Sequence, residues 1–124
     1  MMDSVNAIEF AREWEAAWNR RDVEAVLKYF HDDAVFTSPV AKHLGFARDG
    51  IVSGKDALRR YWTAALAQNA DLRFQVTTVY QGMNTLVIVF KNQAFKNQQG
   101  MDRAEILTFR HGLVIEGHGA FAAS

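Results

Sequence analysis

The segment Met101-Asp-Arg-Ala-Glu-Ile-Leu-Thr-Phe-Arg-His-Gly-Leu-Val-Ile-Glu-Gly-His-Gly-Ala-Phe121 decides how this chain is read. Its first half alternates as a β-strand does. Glu105 shares a face with Arg103, Leu107 and Phe109, whereas Ala104, Ile106 and Thr108 face the other way. A carboxylate on an apolar face needs a partner, a water-lined cavity or a chemical role. Arg110-His-Gly112 then breaks the pattern, and Leu113 to Phe121 reads as a returning strand. A two-residue His111-Gly112 loop would set Glu105 against His118. A three-residue Arg110-His-Gly loop sets Phe109 against Leu113, Leu107 against Ile115 and Glu105 against Gly117, and keeps one face apolar throughout. The second register is the one expected. It leaves Gly117 and Gly119 beside Glu105, a carboxylate next to two missing side chains, which describes a pocket.

Working outward, the strands upstream have the same period of two: Leu72 to Gln81 and Thr85 to Phe95, with turns at Gly82-Met-Asn84 and Asn97-Gln-Gln-Gly100. Before Leu72 the period is helical. Ser4 is positioned to cap a first helix to about Asn19, whose stripe is Ile8, Ala11, Trp14 and Trp18. Asp22 caps a short second helix carrying Val23, Val26, Leu27 and Phe30. His31-Asp32-Asp33 reads as a polar turn, Ala34 to Thr37 as a strand stopped by Pro39, and Val40 to Ser53 as an aperiodic loop with room for one short strand at 50–53. A third helix opens near Ser53 or Asp56 and buries Ala57, Leu58, Tyr61, Trp62, Ala65 and Leu66. Helices first and an antiparallel meander last make an α+β fold, with three N-terminal helices on a curved, mostly antiparallel sheet. At 124 residues without a composition break, one domain spanning 1–124 is expected.

Composition narrows the function classes. Fourteen basic residues balance fourteen acidic ones, so no concentrated positive field recommends nucleic acid. The absence of cysteine removes thiolate chemistry and Cys-based zinc sites. Glu116 and His118 lack a third metal ligand and read better as a cross-strand or dimer contact, so no metal is expected. No glycine-rich phosphate loop calls for an organic cofactor. Without a signal peptide or an apolar run of membrane-spanning length, the expected setting is cytoplasmic, away from the membrane. Thr85-Leu-Val-Ile-Val-Phe90 is apolar on both faces, which predicts a homodimer covering the outer face of the sheet.

Trp14-Glu-Ala-Ala-Trp-Asn-Arg-Arg-Asp22, Tyr29-Phe-His-Asp-Asp-Ala-Val-Phe36, Gly54-Lys-Asp-Ala-Leu-Arg-Arg-Tyr-Trp62 and Phe109 to Phe121 resemble the NTF2-like superfamily, within it the SnoaL-like and ketosteroid-isomerase-like proteins. The resemblance covers about Asn6 to Phe121. It implies a cone-shaped α+β domain with a deep pocket between helices and sheet, commonly a homodimer, in a group that includes isomerases, dehydratases, cyclases, epoxide hydrolases and plain binding modules. Steroid isomerases of this fold place an aspartate base just after the first strand and use a tyrosine and a protonated aspartate as oxyanion donors. Here those positions hold Ser38, Trp14 and Glu105. The acid and one donor remain, and the base does not. The Asp-Arg-Asp set of the limonene-type epoxide hydrolases is not evident, although Arg103 lies near Glu105.

The sequence therefore points to a small apolar ligand carrying a carbonyl or hydroxyl group. Glu105 is the expected acid/base or oxyanion donor, Trp14 a hydrogen-bond donor and Ser38 an orienting hydroxyl. The expected lining is Trp18, Phe36, His43, Tyr61, Trp62, Leu107, Gly117, Gly119 and Phe121. Proton-transfer reactions fit these residues: isomerisation, dehydration or cyclisation. Binding without turnover and a dimeric accessory role are the competing expectations.

Overall fold

The computed structural model describes residues 4–123. Helix α1 (Ser4–Asn19) buries Ala7, Phe10, Ala11, Trp14, Ala17 and Trp18 along one stripe. Ile8, expected on that stripe, is exposed instead. The helix begins at Ser4, and the side chain expected to cap it lies outside the described residues. Arg21 turns the chain with φ 64°, and its guanidinium donates to the carbonyls of Leu66, Asn69 and Ala70, at the end of the long fourth helix. That places a cation on a helix C-terminus, where the peptide dipoles favour it. Asp22 caps α2 (Val23–Leu27) by accepting from the Ala25 N–H at 3.1 Å.

Strand β1 (Phe30–Thr37) is longer than expected, because His31-Asp32-Asp33 lies within it as an exposed, irregular stretch rather than in a turn. Pro39 ends the strand by starting a short helix, α3 (Pro39–His43), which the sequence read as loop. Proline suits the first helical position, where its missing N–H costs nothing, and the Ser38 hydroxyl caps that helix by accepting from Val40 N–H at 3.1 Å. Strand β2 (Ile51–Ser53) follows, then α4 (Lys55–Gln68) with Leu58, Tyr61, Trp62 and Leu66 buried. Neither Ser53 nor Asp56 caps α4. Gly54 occupies the cap position with φ 92° and no side-chain bond.

The remaining strands are β3 (Phe74–Gln81), β4 (Thr85–Asn92), β5 (Asp102–Arg110) and β6 (Leu113–Phe121), with a one-turn helix, α5 (Gln98–Met101), before β5. The sheet order is β2-β1-β6-β5-β4-β3, and only β1 and β6 run parallel. Register shifts interrupt three of the ladders, and such bulges increase local twist and bend a sheet. The sheet is curved and unclosed, an NTF2-like cone. Helix α1 is held to the edge strand by paired hydrogen bonds between the Asn19 amide and the Phe74 backbone (2.9 and 2.7 Å), and by Glu15 accepting from Val76 N–H at 2.6 Å. Among the described residues, no helix is long and apolar enough to cross a membrane.

The β5–β6 hairpin corrects the expected register. The turn has two residues, His111 (φ 53°) and Gly112 (φ 79°), and pairs Arg110 with Leu113. Two successive left-handed residues match the twist of a hairpin. A bulge then places one extra β6 residue between the Phe109–Val114 and Thr108–Glu116 pairs. The bulge restores the parity that a two-residue turn alone would have broken. Glu105 therefore faces Gly119, and Leu107 faces Gly117. The inner face stays apolar by a different route: the three-residue loop is replaced by a two-residue turn plus a bulge.

Candidate functional site

Inner-face residues of β5 run from Phe109 and Leu107, deep in the core, to Glu105 and Arg103 at the open end. Glu105 is buried, and its Oε2 accepts from Trp14 Nε1 at 2.9 Å. Trp14 is almost wholly buried behind it, stacked on Phe74 at 5.4 Å and edge-on to Phe90 at 4.8 Å. Burial pushes the Glu105 carboxyl up to about 7, against the opposing pull of the Trp14 N–H and the positive charge of Arg103. No ion pair joins Glu105 to Arg103 among the described residues.

In front of Glu105 lies a cavity of about 370 Å³ between α4, α3, the end of α1 and the inner face of the sheet. Aromatic side chains make most of its wall: Trp18, Phe36, Tyr61, Trp62, Phe74, Phe90, Phe95 and Phe121. The polar groups are few and convergent, the composition expected of a small-molecule site. Tyr61 donates to the Ser38 hydroxyl at 3.2 Å, and burial raises the Tyr61 phenol above its ordinary range despite that contact. Ser38 thus accepts from both Val40 N–H and Tyr61, which leaves its own proton to donate.

Arg103 forms the other polar end. Its Nε donates to the Gly100 carbonyl at 3.0 Å, and its guanidinium carbon lies 4.6, 5.3 and 5.9 Å from the ring centres of Phe121, Phe95 and Phe74. These distances are those of cation–π packing. Burial lowers its pKa from the usual arginine value, with Tyr61 and Glu105 opposing, but a guanidinium remains charged in this range.

Of the residues expected at the site, Glu105, Ser38, Trp18, Phe36, His43, Tyr61, Trp62, Gly119 and Phe121 line the cavity, with the exposed His43 among them. Trp14 stands behind the lining and touches it through Glu105. Leu107 and Gly117 do not belong to the wall. Leu107 is wholly buried, and the space above Gly117 is filled by Phe36, whose ring would lie 2.7 Å from an added Cβ. Gly117 therefore serves close packing, whereas an added Cβ at Gly119 would meet nothing nearer than the Ser38 hydroxyl at 3.5 Å. Sequence reasoning missed Phe74, Phe90 and Phe95 as wall residues, along with Val40 and Leu44. It noted Arg103 without giving it a place. Phe90 could have been found: it pairs with Arg103 and has the inward parity of β4.

Glu116 and His118 lie on the outer face, where His118 Nε2 meets Glu116 at 2.9 Å and Nδ1 meets the Thr37 hydroxyl at 2.6 Å. They form a cross-strand cluster away from the cavity.

Residues 11–117 match the SnoaL-like domain, so the chain belongs to that family. A SnoaL-like protein of unknown function from Burkholderia thailandensis is similar at 25% identity over 98% of both chains, with a TM-score of 0.87. TerC, co-crystallised with polyporic acid, shares 16% identity over 94% of this chain and 91% of its own, with a TM-score of 0.72. A protein of ketosteroid-isomerase-like fold from Catenulispora acidiphila, in complex with trimethylamine, shares 16% identity over 94% of this chain and 87% of its own, with a TM-score of 0.70. No curated protein matches.

Proposed function

We propose that the protein holds a small, largely apolar molecule bearing a carbonyl or hydroxyl oxygen in this cavity, and that Glu105 exchanges a proton with it. The reactions that suit one such group are isomerisation, dehydration and cyclisation. The observation that carries the reading is Glu105 itself: a buried carboxyl at the wall of an aromatic cavity, pushed up to about 7. A proton-transfer group works best with its pKa near the working pH, since both of its forms are then populated. It is the only carboxylate of the lining among the described residues. It must therefore take the proton and return it. Trp14 fixes its orientation from behind, and the spare Ser38 proton is positioned to orient the ligand oxygen. Two proteins of the same fold hold small molecules in their crystals, which supports the cavity as a place of binding.

A binding role without turnover is the second reading. It is favoured by Ser38, whose oxygen is engaged by Val40 and Tyr61 where the steroid isomerases of this fold carry a base. Native mass spectrometry of the purified protein should reveal a retained molecule, and incubation with wild type and with Glu105→Gln then separates the readings. Conversion by wild type alone, with binding kept in the variant, supports chemistry. Binding by both without conversion supports the second reading. Equal conversion by both removes Glu105 from the mechanism.

The partner in solution is a second copy of this chain. Tyr80, Val87 and Ile106 form one outward row across β3, β4 and β5, beside Val89, Ala104 and Ala120. This is an apolar face that a helix layer does not cover. Light scattering at micromolar concentration should give twice the chain mass, and Ile106→Glu should halve it; a wild-type monomer would refute the dimer.

A further inference from the structure

Among the described residues, Arg103 is the one Lys or Arg side chain of the cavity wall, and little of its hydrogen-bonding capacity is used. A guanidinium carries five N–H donors, of which the fold engages the Nε–H through Gly100. Its guanidinium carbon lies within cation–π distance of the rings of Phe121, Phe95 and Phe74, which pack around it but offer no lone pair to its N–H groups. Among the described residues it forms no ion pair. The nearby acids are otherwise engaged or differently placed: Asp102 pairs with Lys91 at 2.8 Å, and Glu105 is hydrogen-bonded to Trp14. A half-buried cation with free donors and no ion pair, attracted by Glu105 only when that carboxyl is ionised, is costly unless something supplies a negative group.

We infer that the ligand is an organic anion, an apolar skeleton bearing a carboxylate or an equivalent ionised oxygen pair, and that Arg103 binds that group through its unused N–H fork. The inference rests on the cavity being a ligand site, as proposed above, and names the class of molecule it takes. A planar guanidinium and a carboxylate match in geometry, and the paired bonds are charge-assisted. The aromatic backing fixes the fork so that little side-chain freedom is lost on binding. The volume, about 370 Å³, lies at the small end of the ~300–1,000 Å³ usual for small-molecule pockets, which suits a one- or two-ring acid. With the carboxylate at Arg103, the ring system lies along Phe74, Phe90 and Trp62, and its far substituent meets Glu105 or the Ser38–Tyr61 pair. Glu105 is suited to this neighbour because its neutral form adds no repulsion. A cationic ligand would meet Arg103 with like charge, so the wall selects by sign as well as by size.

Calorimetry with three probes of one skeleton tests this: naphthoate, naphthylmethanol and naphthylmethylamine, at a pH slightly below neutral. The acid should bind wild type about tenfold or more tighter than the alcohol, and the amine no better than the alcohol. Arg103→Met should abolish the preference for the acid while leaving the alcohol within about threefold, and Arg103→Lys should restore part of it. Equal binding of acid and alcohol to wild type overturns the inference while leaving the cavity reading intact, as does a preference that survives Arg103→Met. Failure of all three to bind at millimolar concentration overturns the cavity reading and the inference together. The comparison within wild type stands even if a variant folds poorly.

Discussion

The two ends of one strand face are built to opposite rules. At the closed end of the cone, Leu107 pairs with Leu86, and Phe109 meets Val114 and Phe10, all buried and apolar. At the open end, two and four residues earlier on the same face, Glu105 and Arg103 put a carboxyl and a guanidinium into the same layer. The β4–β5 ladder runs without a register shift from Thr108 to Asp102, while the β5–β6 ladder carries its bulge between Phe109 and Thr108. What changes is what stands opposite: at the closed end Phe36 crowds the space over Gly117, and at the open end a Cβ on Gly119 would fit in ordinary contact with Ser38 and Phe36. The closed end serves stability. The open end carries groups that a stable core would not choose, and such groups concentrate at functional sites.

Substitutions can break or sharpen this contrast. Leu107→Ala should cost about 3 kcal/mol in urea unfolding, the usual result of emptying a wholly buried leucine site. Arg103→Met should cost less than about 1 kcal/mol or stabilise, because an unpaired cation is exchanged for an apolar side chain of similar length. If both lose equally, the two ends are not distinct.

The next effect is on pH dependence. The folded-state pKa of Glu105 is raised, so its contribution is fully present below the unfolded value near 4.5 and is lost as pH rises through about 7. Up to about 3 kcal/mol of stability should drain away across that window, by the ~1.4 kcal/mol that each pKa unit represents. Glu105→Gln should flatten this slope and leave the variant more stable than wild type above neutral pH. An unchanged slope would mean that the carboxyl titrates as an ordinary one.

The smallest contrast is between the glycines. Gly117→Ala should cost about 2 kcal/mol through overpacking against Phe36, whereas Gly119→Ala should stay within about 0.5 kcal/mol and register instead as weaker ligand binding.

Much of this architecture was legible in the chain. The change of period near Leu72, the Asp22 cap and the inward parity of Glu105 are local signals, and local signals survive without coordinates. The hairpin register was not legible, because a bulge beyond the turn leaves no mark in composition; Gly112 suits either loop. The polar end of the cavity was half legible. Arg103 and Glu105 share a strand face and could be seen together, but the rings around Arg103 come from three segments, Phe74, Phe95 and Phe121, joined only by the sheet's curvature. Leu107 and Gly117 were expected in the wall because parity says which way a residue faces, not whether Phe36 reaches across to it.

Strand β1 is flanked by β2, its near neighbour in the chain, and by β6, the latest of the sheet's six strands in chain order. During translation Phe36 and Phe30 can meet β2 and Trp62 early, but the side of β1 that pairs with β6 stays open until residues 113–121 have left the ribosome. Pairing across so long an intervening stretch makes folding slow and leaves an aromatic surface open to wrong contacts. The cavity is thus a late product of biogenesis: Trp14 is made early, its partner Glu105 comes 91 residues afterwards, and no nascent fragment short of β6 has the whole wall.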